Sequence, residues 1–134
     1  MMKYLAPILA VPALALAAAA FAYPPLERKI LLDQPVPETT IRAVKSARIA
    51  FAGGQPTGPH THPGPVFGVV TRGSYIIQVH GQPARPYQAG DAFYEPANTP
   101  IERFDNASPD QPAEIEVFYL QGSPEQPLIE MLSP

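Results

Sequence analysis

Residues 58–73 read GPHTHPGPVFGVVTRG and hold two of the chain's three histidines, His60 and His62, one residue apart. In an extended segment, residues i and i+2 project from one side, so two imidazoles placed this way can close on one cation. Imidazole nitrogen is a common ligand for zinc, iron, copper and nickel. Pro59 and Pro63 fix the backbone on both sides of the pair, which would equally suit a plain surface turn. The rest of the chain has to decide between a metal site and a loop.

Upstream, the 134-residue chain opens with MMKYLAPILAVPALALAAAAFAY. One basic residue, Lys3, precedes an apolar run from Leu5 to Ala20, and Ala20-Phe21-Ala22 closes it. That is the layout of a secretory signal peptide cleaved after Ala22. About 20 apolar residues can also span a bilayer, but Pro7 and Pro12 interrupt the run, alanine dominates it and no basic cluster follows. The expectation is an exported protein, periplasmic or secreted, with no stable membrane span after cleavage.

The formal net charge is −3, one unit more negative once Lys3 leaves with the leader. With no basic run or patch to neutralise phosphates, nucleic acid is not an expected partner. The chain has no cysteine, which excludes disulfides, thiol chemistry and thiolate metal ligands.

Downstream, proline and glycine punctuate the sequence, with 19 and 9 copies in the chain. Long helices do not survive such spacing, whereas short strands joined by turns do. TIRAVKSARIAFA (40–52) alternates, with Ile41, Ala43, Ala47, Ile49 and Phe51 on one parity. VFGVVTRG and SYIIQVHG are β-branched and aromatic runs meeting at a tight turn at Arg72-Gly73. GQPARPYQAG reads as a connection to DAFYEP; IERFDN follows, and AEIEVFYL (113–120) alternates strictly. SPEQPLIEML can form one helical turn or pack as an arm. This spacing predicts an all-β sandwich or barrel. The expected organisation is a signal peptide at 1–22, an extended N-terminal arm at 23–38, a β-barrel at 39–122 and a C-terminal tail at 123–134.

The two glycine-bounded segments resemble the two motifs of the cupin superfamily, the small double-stranded β-helix or jelly-roll barrels. The first motif has a glycine, His-x-His, three or four residues, a glutamate, six residues and a glycine. Here Gly58, His60, His62 and Gly73 match it. The second has a glycine, five residues, a proline, x-Gly, two residues, a histidine and an asparagine a few residues on. Gly90, Pro96 and Asn106 match that pattern. The resemblance covers roughly residues 40–120 and implies a single cupin barrel with a site of three histidines and one glutamate.

Two of those four ligands are missing. Val66 or Phe67 stands where the glutamate belongs, Asn98 replaces the glycine of the second motif, and Ile101 occupies its histidine position. Two imidazoles alone are too few to hold a first-row metal firmly. Three residues are candidates for a third ligand: Glu102, one position past Ile101; Glu95, just ahead of Pro96; and His80, at the end of SYIIQVH. Two histidines and one carboxylate would suit a divalent transition metal (Fe, Mn, Zn, Cu or Ni), leaving positions open for ligand. The apolar replacements Val66, Phe67 and Ile101 would line the barrel mouth, with Phe93 and Phe104 as further pocket walls and Tyr94, Phe118 and Tyr119 beside them.

The leading reading is an exported single-domain cupin that binds a small, partly apolar molecule, with metal held weakly or not at all through His60 and His62. The alternative is a metal-dependent oxygenase- or isomerase-type enzyme with a non-standard third ligand. A third reading is a structural or partner-binding barrel, with a homodimer through the segment RKILLDQPVPE. Asn106-Ala107-Ser108 also matches the N-glycosylation sequon.

Overall fold

The computed structural model describes residues 23–133, so the expected leader at 1–22 lies outside the described residues. Nine strands follow one another: β1 (Ala43–Phe51), β2 (His60–Thr61), β3 (Val66–Arg72), β4 (Ser74–Val79), β5 (Arg85–Gln88), β6 (Ala92–Glu95), β7 (Ile101–Asn106), β8 (Ala113–Gln121) and β9 (Glu130–Met131). They build two antiparallel sheets, ordered β1-β8-β3-β6 and β5-β4-β7-β2-β9. No helix occurs among the described residues, as the proline spacing predicts.

The period-2 rule of a half-buried strand is clearest in β8. Ala113, Ile115, Val117, Tyr119 and Gln121 face inward and are buried, while Glu114, Glu116 and Phe118 alternate with them. β1 runs antiparallel along β8 for its whole length, from Ala43↔Gln121 to Phe51↔Ala113. From the other sheet, Tyr75, Ile77, Ile101 and Phe104 fill the space between the layers. Burying each large apolar side chain contributes about 1.5–3 kcal/mol.

At Gly73 (φ 75°) the chain turns from β3 in one sheet to β4 in the other, so the two apolar runs form a corner between layers rather than a hairpin. A side chain there would meet the Ala113 Cβ at 2.8 Å.

Two strands have no counterpart in the sequence pattern. β5 contains Pro86 and is tolerated because it is a sheet edge, where a missing N–H costs no ladder bond. β9 lies in the tail at 123–134, where the sequence offered a helical turn or an arm. There Glu130 and Met131 pair with Thr61 and His60 at the edge of the second sheet. The arm at 23–38 has no regular secondary structure and is exposed.

Asn106 closes the far loop. Its Nδ2 donates to the carbonyls of Ala52 (2.9 Å) and Gln111 (2.6 Å), and its Oδ1 accepts from the Ser108 N–H (3.0 Å).

Candidate metal centre

β2 is only two residues long, yet it carries the site. His60 pairs with Ile101 on one side and Met131 on the other, and both His60 and His62 are buried, at 2% and 4% exposure. Each ring is fixed by its Nδ1–H. His60 donates to the Gly58 carbonyl at 2.7 Å, and His62 to the Leu128 carbonyl at 2.6 Å. A carbonyl can only accept, so both Nδ1 atoms hold protons and both Nε2 atoms are left as potential donors to a metal.

Between them stands Glu95, the last residue of β6. Its Oε2 is 3.0 Å from His62 Nε2 and its Oε1 is 3.7 Å from His60 Nε2. One ligand atom from each of His60, His62 and Glu95 fits within a sphere of mutual distances below 4.8 Å. Glu95 is 3% exposed. Of the three candidates for a third ligand, the fold brings this one into the cluster. His80 and Glu102 pair with each other at 2.6 Å on the exposed surface, outside the cluster.

The strand pairing explains how Glu95 arrives there. Val66, standing where the cupin pattern has its glutamate, is the direct partner of Glu95 across β3 and β6. Both side chains are buried, so the carboxylate enters the same interior from the neighbouring strand. Glu95 shares its parity with the buried Phe93 on β6, an inward-facing glutamate that alternation alone would flag. Ile101, fully buried opposite His60, supplies no donor atom at the remaining motif position.

The electrostatics follow from this packing. Burial opposes a charge on His62, but the adjacent Glu95 carboxylate, with the Leu128 carbonyl, outweighs it and raises the imidazole above its ordinary pKa. Burial likewise opposes the Glu95 carboxylate, and the two histidines outweigh it to hold the group below its ordinary range. Burial, then the charge of Glu95, pushes the Tyr119 hydroxyl up.

Glu95 Oε1 and His62 Nε2 are buried without a hydrogen-bond partner. With both Nδ1 protons committed, a lone pair on His62 Nε2 faces a carboxylate oxygen unless positive charge sits between them. A second proton on the ring would serve, and so would a divalent cation. The residues present therefore fit a metal.

The three cluster residues themselves line a cavity of about 40 Å³, whose other walls include Ile49, Phe51, Phe104, Ile115, Tyr119 and Ile129. The expected pocket divides accordingly. Phe104 lines this cavity, whereas Val66, Phe93 and Ile101 are buried core residues outside its lining. Phe67 faces outward instead, stacked on Tyr94 with ring centroids 5.1 Å apart, and Phe118 is 44% exposed. Their parity on β3, β6 and β8 is opposite to that of Val66, Glu95 and Tyr119.

The sequence matches the cupin domain family over residues 47–119, more than half of the chain. The protein belongs to the cupin family. Comparison with curated proteins gives no match. Among solved structures, an oxalate oxidase in complex with the substrate analogue glycolate is similar at 24% identity and TM-score 0.57, covering 66% of this chain and 46% of that one. A cupin-like protein from Thermotoga maritima is similar at 29% identity and TM-score 0.57, with 66% and 64% covered. The DMSP lyase DddQ from Ruegeria pomeroyi shares 17% identity at TM-score 0.56, with 66% and 42% covered. The chain thus spans less than two thirds of each of these structures.

Proposed function

We propose that this is an exported metal-binding cupin. His60, His62 and Glu95 hold one divalent transition metal, and a small, partly apolar anion binds beside it. The observation that carries the reading is a buried cluster with two orphaned atoms: His62 Nε2, 3.0 Å from Glu95 Oε2, and Glu95 Oε1, 3.7 Å from His60 Nε2. Two neutral imidazoles and one carboxylate would leave a divalent ion with one net positive charge, and burial among apolar walls favours a ligand that neutralises it. A two-histidine, one-carboxylate set leaves coordination positions open, and a bound metal would supply Lewis-acid or redox chemistry there. The glycolate-bearing oxalate oxidase neighbour supports a small carboxylate as the first ligand to test. The leader-like start supports work in the periplasm or outside the cell.

The test is metal content after incubation with Fe, Mn, Zn, Cu or Ni and desalting. One equivalent is expected in the wild type. Replacing His60, His62 or Glu95 by alanine should weaken binding at least ~100-fold, since even outer-shell changes cost 10–100-fold. His80→Ala and Glu102→Ala should leave binding unchanged. A wild-type protein that takes up none of these metals would refute the proposal.

A further inference from the structure

The cavity at the cluster has room for only a very small ligand. At about 40 Å³ it holds a few waters, whereas drug-sized ligands occupy pockets of roughly 300 Å³ and more. Admitting anything larger than a few atoms requires one wall to give way. Ile49 belongs to β1 and Ile129 to the C-terminal segment, so the cavity reaches the seam between the edge of one sheet and the edge of the other.

The two sides of that seam are held very differently. β1 is bonded to β8 through a nine-residue register. The C-terminal side is a strap, residues 123–132, attached to β2 at two residue pairs, His60↔Met131 and Thr61↔Glu130. One further backbone bond runs from the Leu132 N–H to the Pro59 carbonyl at 3.0 Å; nearer its start the strap is anchored by Gln121 Nε2 donating to the Gln126 carbonyl at 2.7 Å and Lys45 Nζ to the Pro124 carbonyl at 2.8 Å, and Leu128 packs against the core. Glu130, Met131 and Leu132 are exposed. The same strap supplies the Leu128 carbonyl that holds the His62 ring.

We infer that the strap at 123–132 is the gate of the metal centre and its positioning element: lifting it opens the cavity at Ile129 and at the same moment releases His62 from Leu128. Ligand entry and the orientation of one metal ligand are thus coupled through a single short segment. Closing the strap fixes the His62 Nδ1–H on Leu128, which aims Nε2 at Glu95; opening it frees the ring to turn away. The inference rests on the proposed metal site for its functional meaning, but the gate itself is testable without metal.

The chain has no cysteine, so Thr61→Cys/Glu130→Cys introduces one pair only. Directly opposed residues of an antiparallel pair lie about 4.5–5.5 Å apart at Cα, within disulfide range. Both positions are on the parity opposite to His60, away from the cluster. The metal-free variant is treated with diethyl pyrocarbonate in its oxidised and reduced forms, and acylation of each histidine is followed by peptide mass. Exposed His80 serves as the internal reference.

The expected result is acylation of His60 and His62 at least ~10-fold slower in the oxidised form, with His80 unchanged, because the local opening that exposes them is blocked. Equal rates in the two forms would overturn the gate. In metal-loaded protein, release to a chelator should slow in the same way. Histidine protection by the staple without any metal uptake would sink the metal reading and leave the gate standing; metal uptake with equal histidine and release rates would do the reverse. Amide hydrogen exchange of the wild type guards against a variant that fails to fold. The Leu132 amide should exchange at least ~10-fold faster than the β8 amides, and equal protection of the two would also overturn the gate.

Discussion

Gly68→Ala should be among the most damaging small substitutions in the chain, and its cost can be worked from distances. Gly68 lies in β3, flanked by Phe93 on β6 and Val117 on β8. A Cβ there would sit 2.2 Å from Phe93 Cζ, 2.7 Å from its Cε1 and 2.9 Å from the Glu116 carbonyl oxygen. Carbon atoms pack at roughly 3.5–4.0 Å, so the ring has to retreat by more than ~1 Å. It has little room to do so, being 1% exposed and packed edge-on against Phe104 at 5.3 Å and Tyr87 at 6.4 Å.

Overpacking of this kind costs about 1–3 kcal/mol, and alanine's better strand entropy returns only about 0.5–1 kcal/mol. A contact as short as 2.2 Å places the cost at the upper end of that range, and a net loss of about 2 kcal/mol corresponds to a fall in Tm of roughly 10 °C for a domain of this size. Phe93 and Glu95 share the inward parity of β6, so the shift should also displace the carboxylate and weaken metal binding. Thermal melts and metal titrations of Gly68→Ala, Phe93→Leu and the double variant form the assay. Leucine lacks the clashing Cζ, so the double variant should be less damaged than the sum of the singles by at least ~1 kcal/mol. An unchanged Tm, or strict additivity, would refute the reasoning.

Two further outcomes follow from the same geometry. Ile101→His places a third imidazole, and so a fourth ligand, beside its strand partner His60. It should raise metal affinity at least ~10-fold by completing four-coordination, while lowering metal-free stability by about 1–3 kcal/mol through a buried polar group; titrations and melts with and without metal would show whether affinity rises at all. The pH profile has a definite sign. His62, raised above its ordinary 6.5, stabilises the metal-free fold below that pH and loses its contribution as pH rises through the folded value. Glu95, held below its ordinary 4.5, contributes above that pH and loses its share as pH falls through the folded value. Urea midpoints of the metal-free protein should therefore peak between about 4.5 and 6.5. Glu95→Leu should flatten both flanks, and metal should extend the stable range upward because it needs the deprotonated ring.

The barrel was legible because its signals are local: alternation in β8, glycine at the β3–β4 corner, and two histidines at strand spacing. The strands that escaped notice were the ones short on local signal. β5 carries a proline, and β9 is two residues whose identity comes from pairing with β2. The histidines could be placed, but the third ligand could only be narrowed to three residues. Linear counting looks for a glutamate at position 66, whereas the interior sees a rung shared by Val66 and Glu95 across two strands. Ligand position in a barrel is a property of the rung, and register between strands distant in sequence is what a motif cannot contain. Half-buried, outward-facing Phe67 and buried Phe104 were likewise indistinguishable until the sheets fixed which parity faces in.

The closure of the far loop by Asn106 bears on how the protein can be made. All of its amide chemistry is consumed inside the fold by Ala52, Gln111 and Ser108, yet it begins an acceptor triplet for N-linked sugar. A secretory pathway that glycosylates nascent chains meets this asparagine before the barrel exists. A glycan on Nδ2 would leave too few protons for both carbonyls and force bulk into a buried site. Material secreted by such a host would fold poorly for a reason unrelated to the metal, and a bacterial host, or Ser108→Ala in a eukaryotic one, avoids the conflict.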